Sequence, residues 1–373
     1  MRRLGSMVVF AMSLASGCHD VDQFEPCPSG QVSVAGVCTS VPSCVTLASN
    51  CGPAGESCCT TLTVTGGSFY RGFDNGGAVQ GGLPVPNFVS NPTDLVQVGT
   101  FYLDRYEITI GRFRTFLTAY DAWLVNSLHS GVGADPNRLT YSTPDGGTTT
   151  TGWQADEFGS CVMPKTGQHC VLPSAQEVVS DIAARCDTPN GDPSTGDWTP
   201  TPGDKEGNPM PCITWYEAMM FCIFDGGRLP TEAEWNFAAA GGARQLAFPW
   251  SNPPGDTTIS NSLAAYGVLN EAAPVGSYPL GAGPFGQYDL AGNVWEWTLD
   301  SPNPSATADG SLAYGGDPNN PVDMSGLDQE DHTVRGGSFE DPSADLRTSA
   351  RLTRGATDRY RDVGARCARP GSD

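Results

Sequence analysis

Apolar and polar residues alternate along the chain in short stretches, which predicts short structural elements. Leu62 and Val64 are apolar and two residues apart, and the turn at 66–67 is followed by Phe69, which together predict a strand that enters a larger domain. The segment 101–108 alternates in part, as a strand does, and 110–120 then places apolar residues near helical spacing. This part of the chain is therefore predicted to form strands followed by a helix.

Three more helices are predicted from their start signals, a Ser or Thr followed three residues later by Glu. The two side chains of such a pair satisfy free backbone N–H groups in the first helical turn. Glycine supplies the left-handed residue that ends a helix, so the second and third of these helices should stop near 225–227 and 241–242. The start signals are Ser174 with Glu177, Thr214 with Glu217, and Thr231 with Glu234.

Composition and charge exclude some classes of protein. With 46 Gly, 30 Pro and 39% hydrophobic residues among 373, the chain should contain much irregular backbone and no long helical bundle. Its 20 Lys and Arg residues face 41 Asp and Glu residues, which gives a net charge of −21. Because this charge repels nucleic acid and anionic lipid and favours divalent cations, we exclude nucleic acid as a partner.

The N-terminus has the pattern of an export signal. Arg2 and Arg3 precede a mostly apolar stretch, 4–14, that is too short to span a bilayer. The next four residues, 15–18 (ASGC), resemble the lipobox of a bacterial lipoprotein, although Ala stands where Leu is usual. We expect a signal peptide over 1–17 and acylation of Cys18, which would anchor an exported protein in the bacterial cell envelope, at the outer membrane or in the periplasm. The alternative is a secretory signal cut before Cys18 and a secreted protein. For the acylated protein, membrane contact is expected only through the lipid.

Thirteen cysteines in an exported chain indicate disulfides. If Cys18 carries lipid, twelve remain, and their spacing is not that of a CxxC zinc site. The segment 18–60 contains six of the twelve and is too short for a core of its own, so it is predicted to be a lipid anchor with a Cys-rich stalk or small module. Sequence leaves the pairing of these six open. It also leaves three connectivities open for four later cysteines, Cys161, Cys170, Cys186 and Cys212.

Seven blocks between 61 and 370 occur in the order of one known family. They are 66–69 (GGSF), 102–109 (YLDRYEIT), 211–218 (PCITWYEA), 227–235 (GRLPTEAEW), 288–297 (YDLAGNVWEW), 334–339 (VRGGSF) and 364–367 (GARC). Together they resemble the domain of the formylglycine-generating enzymes, the sulfatase-modifying-factor family. The resemblance implies one domain over 61–370 with an α+β, C-type-lectin-like fold, little regular secondary structure and disulfide staples. It also implies a disulfide between Cys222 and Cys367.

The resemblance stops at the residues that carry the family's chemistry. In the resembled enzymes, two cysteine thiolates just after the Gly-Gly-Ser block bind copper(I), a soft ion that needs soft sulfur donors. Here the segment 339–347 (FEDPSADLR) contains no cysteine. We therefore expect no copper and assign no catalytic residue. Another branch of the family holds iron with three histidines, but the four here (His19, His129, His169 and His332) form no HxxxH pair.

Calcium is the metal that the resemblance retains. A side chain, two backbone carbonyls and a carboxylate bind a structural calcium in the family, and the matching positions are Asp289, Gly292, Val294 and Glu296. Residues two apart in extended backbone face the same way, so these oxygens are expected to converge. The alternative is that Asp289 caps a turn and Glu296 faces solvent. A second family calcium site would fall near Asn261 and Ser262, but its aspartate has no counterpart at 267–269.

The missing thiolate pair on a preserved scaffold predicts a non-catalytic envelope lipoprotein, a binding or scaffold domain for a protein, peptide or glycan partner. The alternative is an oxygen-dependent or other metal-dependent oxidase that acts on exported proteins. It would need a different metal site, built from His332, Glu340 and Asp341. A third possibility is a purely structural envelope component.

Overall fold

The computed structural model describes residues 31–34, 37–45, 47, 51–89, 92, 94–127, 140–142, 148–150, 173–186, 198–199, 201–267, 271–300 and 331–371. The predicted signal peptide at 1–17 and the lipidated Cys18 lie outside these residues, as do Cys27, Cys161 and Cys170. Within the described ranges, no helix has the length and the apolar character needed to cross a membrane.

Short strands and a few helices make up the regular structure. The described helices are α1 (Ile110–Ser127), α2 (Ala175–Arg185), α3 (Trp215–Phe224) and α4 (Glu232–Ala240). The described strands are β1 (Gln31–Val34), β2 (Val37–Ser40), β3 (Thr61–Val64), β4 (Gly67–Tyr70), β5 (Val79–Gln80), β6 (Leu83–Pro84), β7 (Leu95–Val98), β8 (Phe101–Asp104), β9 (Thr140–Ser142), β10 (Thr148–Thr150), β11 (Trp295–Trp297), β12 (Asp331–Arg335), β13 (Arg351–Gly355), β14 (Val363–Gly364) and β15 (Ala368–Pro370).

The three helices with predicted start signals begin where the sequence places them. In α2, α3 and α4 the N-terminal Ser or Thr side chain accepts from the third helical N–H, and the Glu side chain bonds back to the cap. Helix α4 ends at Gly241, whose φ of 66° is left-handed as predicted. Helix α3 ends at Phe224 with Asp225 as its C-cap, and Gly226 follows with a left-handed φ of 74°, within the range that the sequence predicts.

Two sheets hold the centre of the domain. The larger has the strand order β13-β12-β11-β14, antiparallel except for the parallel pair β11 and β14. The smaller has the order β15-β8-β3, so the last strand and an early strand flank β8. Helices α1 and α3 pack their aromatic residues against each other beside the larger sheet, with the Phe113 and Phe221 rings 6.0 Å apart. Cys222 of α3 and Cys367, which precedes β15, are joined in a buried disulfide, the pair that the family resemblance implies.

The described part of the Cys-rich segment packs directly on this core. The backbone N–H of Ser43 donates to Asp225 at 2.9 Å, and Arg112 of α1 donates to the Ser43 hydroxyl at 3.2 Å. Glu56 accepts from Arg105 at 2.7 Å. From Val41 onward, the described residues of this segment are therefore held to the domain by polar contacts that are buried at Ser43 and half-buried at Glu56.

Three further disulfides are described: Cys44–Cys59, Cys51–Cys58 and Cys186–Cys212. The first two staple the segment before β3, where sequence left the pairing open. The third joins two of the four later cysteines whose pairing the sequence left open. Together with Cys222–Cys367, these bonds use every cysteine whose side chain is described.

Candidate functional site

Three buried carboxyl groups influence one another beside the loop that leads into β11. Glu107, Asp289 and Glu296 expose 0%, 6% and 0% of their surfaces. Burial, followed by the charges of Asp289 and Glu296, raises the pKa of Glu107 well above its usual value. Burial also raises the pKa of Asp289 to about 6. Ionising all three groups is therefore unfavourable unless positive charge is added.

Hydrogen bonds fix the direction of two of these carboxyls. The Asn293 amide donates to Glu107 Oε2 at 2.7 Å, and the backbone N–H of Val294 donates to Glu107 Oε1 at 3.3 Å. The backbone N–H of Gly276 donates to Asp289 Oδ2 at 2.6 Å. All of these donors are neutral, so they orient the carboxyls without cancelling their charge.

One guanidinium is bonded to the third carboxyl. Arg366 grips Glu296 with Nε and Nη2, both at 2.6 Å, and Trp235 Nε1 donates to the same carboxylate at 2.8 Å. Arg366 also donates to the backbone carbonyl of Tyr288 at 2.9 Å, so its guanidinium connects Glu296 to the loop that contains Asp289. Among the residues that the structure describes, no second guanidinium is hydrogen-bonded to the three carboxyls. Three potential negative charges thus share one positive charge.

The backbone between Asp289 and Glu296 is curled rather than extended. Asp289, Gly292 and Asn293 have φ values of 57°, 85° and 66°, and β11 begins only at Trp295. The expectation of extended backbone was wrong, because residues in the left-handed region reverse the chain locally. The alternative with a solvent-facing Glu296 was also wrong, since that side chain is fully buried. Non-glycine residues in this region carry strain of the kind that collects at ligand sites.

The carboxyls fit a calcium ion by their chemistry. Calcium takes carboxylate and backbone carbonyl oxygens, and a buried excess of negative charge favours a divalent cation. No three His, Cys, Asp or Glu side chains in the described ranges are gathered closely enough to hold a metal by themselves. An ion here would therefore also need the carbonyls of Gly292 and Val294, as the sequence predicts. Sequence reasoning missed Glu107, although its place in the YEIT part of the 102–109 block was a signal.

The second family calcium site has less support. The Ser260 and Ser262 hydroxyls hydrogen-bond each other at 2.8 Å, and Asn261 is exposed. Gly267 donates its backbone N–H to the Asp341 carbonyl, while 268–269 lies outside the described residues. The described residues of this region thus add no carboxylate to Asn261 and Ser262.

Hydrogen bonds occupy the segment that follows the Gly-Gly-Ser block. Asp341 Oδ2 accepts from Trp295 Nε1 at 2.8 Å and from the Ser338 backbone N–H at 2.9 Å. Glu340 pairs with Arg361. Burial, followed by the charge of Asp341, raises the pKa of Asp345 to about 6. The protonated form of Asp345 is therefore favoured beside Asp341.

The histidine considered for an oxidase site is a core residue. His332 is fully buried and its ring stacks on Trp215, with the ring centroids 3.9 Å apart. Burial lowers the pKa of His332 to about 3, so the ring is neutral. Within the described residues no metal-holding group of three such side chains exists, so His332, Glu340 and Asp341 do not form one as placed.

Comparison with known proteins supports the family. The family model described as "Sulfatase-modifying factor enzyme 1-like domain" matches residues 48–370. The formylglycine-generating enzyme of Thermomonospora curvata is 28% identical over 319 residues, which cover 82% of this chain and 92% of that protein. The inactive C-alpha-formylglycine-generating enzyme 2 of Mus musculus is 39% identical over 103 residues, 26% of this chain and 33% of that protein.

A solved structure supports the fold. PvdO from Pseudomonas aeruginosa is 20% identical and aligns with a TM-score of 0.50 over 83% of this chain and 94% of that one. The expected α+β fold of the formylglycine-generating enzymes, with short elements and disulfides, is confirmed. The chain therefore belongs to the family of the sulfatase-modifying factor enzyme 1-like domain.

Proposed function

We propose that this chain is a non-catalytic member of its family, a calcium-stabilised binding or scaffold domain anchored in the bacterial cell envelope. One observation carries the proposal. The segment 339–347, just after the Gly-Gly-Ser block, has no cysteine, while the family's oxidation of substrate cysteine needs two thiolates there to bind copper(I).

The side chains that occupy this segment are unsuited to copper(I). Glu340 and Asp341 are hard oxygen donors, whereas copper(I) selects thiolate and thioether ligands. The eight cysteines with described side chains are all in disulfides, so no thiolate pair is available within those residues.

The names of the relatives point in both directions. One relative is named a formylglycine-generating enzyme and another an inactive one. A name alone therefore does not assign activity to this chain. The donor atoms after the Gly-Gly-Ser block support the proposal, because they favour the inactive kind.

The calcium part of the proposal rests on the buried carboxyls. Glu107, Asp289 and Glu296 would supply carboxylate oxygens, and the carbonyls of Gly292 and Val294 would complete the set. A calcium ion would supply the positive charge that Arg366 alone does not provide. Its role would be structural, because it would join the loop before β11 to the link between β8 and α1.

The sequence supports the proposed class of partner and the proposed location. With a charge of −21, the chain would bind a protein, peptide or glycan rather than nucleic acid. Acylation at Cys18 would hold it at the envelope, and that lipid would be its contact with the membrane. A pull-down from native envelope with the acylated chain, compared with the Cys18→Ser variant, identifies the partner and tests the anchor.

An oxidation assay tests the loss of activity. The purified chain is incubated with copper, reductant, oxygen and a sulfatase-type cysteine peptide, and mass spectrometry follows conversion to formylglycine. The enzyme of Thermomonospora curvata serves as the positive control. We expect no product above the level without protein. Copper-dependent formylglycine at multiple turnovers would overturn the proposal and favour the alternative, a metal-dependent oxidase acting on exported proteins.

A further inference from the structure

The small loop closed by the Cys51–Cys58 disulfide lies against the buried carboxyls. Gly52 in this loop donates its backbone N–H to the Val275 carbonyl at 3.3 Å. The next residue, Gly276, donates its own N–H to Asp289 Oδ2 at 2.6 Å. Two consecutive hydrogen bonds therefore connect the disulfide loop to a predicted calcium ligand.

The contact between the loop and the site leaves no free space. A Cβ atom on Gly276 would come within 2.7 Å of Gly52 Cα and 2.8 Å of Tyr106 Cε1. A Cβ atom on Gly52 would collide with the Tyr106 hydroxyl. Gly52 also has a φ of 62°, a conformation that side chains other than glycine adopt only with strain. Movement of the loop must therefore move Gly276 or Tyr106.

A pair of tyrosines forms a second connection. The Tyr106 and Tyr288 rings stack with their centroids 5.6 Å apart and their planes at 14°. Each ring belongs to the residue directly before a carboxyl of the site, Glu107 or Asp289. The stack therefore sets the spacing between the two backbone segments that supply these carboxyls.

The disulfide loop also contacts the tyrosine pair, through Arg105. Glu56 accepts from Arg105 Nη1 at 2.7 Å, and Arg105 Nη2 donates to the Tyr288 hydroxyl at 3.3 Å. Cys51 and Glu56 exchange both backbone hydrogen bonds, at 3.0 and 2.8 Å, which keeps Glu56 in place. Cys51 and Cys58 are themselves buried in one apolar cluster with Tyr106, Val275 and Tyr288.

We propose that the Cys51–Cys58 disulfide controls the calcium affinity of the Glu107, Asp289 and Glu296 site. Closed, the disulfide holds Gly276 and the tyrosine pair in the arrangement that positions the carboxyls. A dithiol reductant breaks the sulfur–sulfur bond and supplies two electrons and two protons. It is oxidised to its own disulfide and leaves Cys51 and Cys58 as thiols. The freed loop then no longer fixes the site, and affinity falls.

Binding and reduction are linked in both directions. A bond that strengthens calcium binding must itself be stabilised by calcium to the same extent. Calcium should therefore protect Cys51–Cys58 from reduction, although neither sulfur would touch the ion. This inference rests on the calcium part of the proposed function.

Titration calorimetry with calcium tests the coupling on the mature chain. The Cys51→Ser, Cys58→Ser double variant should bind about tenfold more weakly than wild type, a coupling within the usual range for linked sites. The matched control is the Cys186→Ser, Cys212→Ser double variant, which removes a disulfide that belongs to a different apolar cluster. Its affinity should stay within about twofold of wild type.

A second measurement needs no variant and so does not depend on how the variants fold. Wild-type protein is equilibrated with a series of reduced-to-oxidised dithiothreitol ratios, in calcium or in EDTA, and alkylation with peptide mass spectrometry measures the reduced fraction of each disulfide. We expect saturating calcium to raise the ratio needed for half-reduction of Cys51–Cys58 about tenfold, and that for Cys186–Cys212 less than twofold. If wild type binds calcium but the Cys51, Cys58 variant binds it equally tightly, the coupling is wrong and the calcium site stands. The same conclusion follows if calcium does not protect the Cys51–Cys58 disulfide from reduction. No calcium binding by wild type overturns the calcium site as well.

Discussion

Substitution of Asp289 by Asn separates the two opposite effects that the buried carboxyl has on stability. Burial raises the pKa of Asp289 from 3.8 to about 6, so its ionised form is disfavoured in the metal-free fold. A carboxyl with a raised pKa adds stability at low pH, and this contribution is lost as the pH rises through the folded value. At pH 7.5 the ionised side chain should therefore destabilise the metal-free protein.

The pKa shift sets the size of the effect. About two pKa units correspond to roughly 3 kcal/mol, which is the upper limit of the stability that Asp289→Asn should restore in EDTA. The asparagine oxygen can still accept the Gly276 N–H, so the hydrogen bond is kept. In a domain of this size each kcal/mol raises the melting temperature by about 2 to 4 °C.

Calcium should act in the opposite sense. The variant supplies one charge fewer to the ion, and we expect about tenfold weaker binding, or roughly 1.4 kcal/mol less stabilisation at saturating calcium. Thermal unfolding at pH 7.5 in EDTA and in calcium measures both effects. Asp204→Asn, an exposed aspartate, is the matched control and should change stability by less than about 0.5 kcal/mol in either buffer. Marked destabilisation of Asp289→Asn in EDTA, or equal gains from calcium in variant and wild type, would refute the reasoning.

Three other predictions concern stability. Burial and the charge of Asp341 raise the pKa of Asp345 to about 6. The free energy of unfolding should therefore fall as the pH rises from 4.5 to 7.5. The expected fall is about 1 kcal/mol, a value already lowered because the side chain is partly exposed to solvent. Urea unfolding should show a smaller fall in Asp345→Asn, and an unchanged one would contradict the assignment. Replacing Cys222 and Cys367 by Ser removes a disulfide that closes a loop of 145 residues and should lower the free energy of unfolding by about 5 kcal/mol. A loss of less than about 1 kcal/mol in urea unfolding would contradict this prediction. Thr231→Ala should lower the free energy of unfolding by about 1 kcal/mol, while circular dichroism shows α4 still formed. Thr231→Ser keeps the capping hydroxyl and should retain most of the stability. Equal losses in the two variants would show that the hydroxyl does not cap the helix.

The sequence predicted the elements whose signals are local. The capping boxes at Ser174, Thr214 and Thr231 each mark a helix start, because the pair of side chains and the backbone they bond lie within one turn. The family blocks predicted the fold, since each block keeps residues that face one another in the core. Trp295 and Trp297, for example, are both fully buried.

Contacts between distant segments were not predictable in the same way. Glu107 joins Asp289 and Glu296 only through the fold. Its place in a family block marks the residue, but the block does not show that it is buried with two other acids. The curled backbone at Asp289 and Asn293 was missed because non-glycine residues rarely adopt positive φ. The packing of the segment from Val41 onward was also missed, because it depends on a buried partner, Asp225, 182 residues from Ser43.

Metal analysis of the protein purified from its native source, without added metal, tests the central claim most directly. The claim is that the scaffold keeps an oxygen-lined cation site beside Arg366 and lacks the sulfur-lined copper site after Ser338. Elemental mass spectrometry should then find calcium near one ion per chain in wild type, less in Glu107→Gln, and only trace copper and iron. Stoichiometric copper or iron in the wild-type protein would contradict the account.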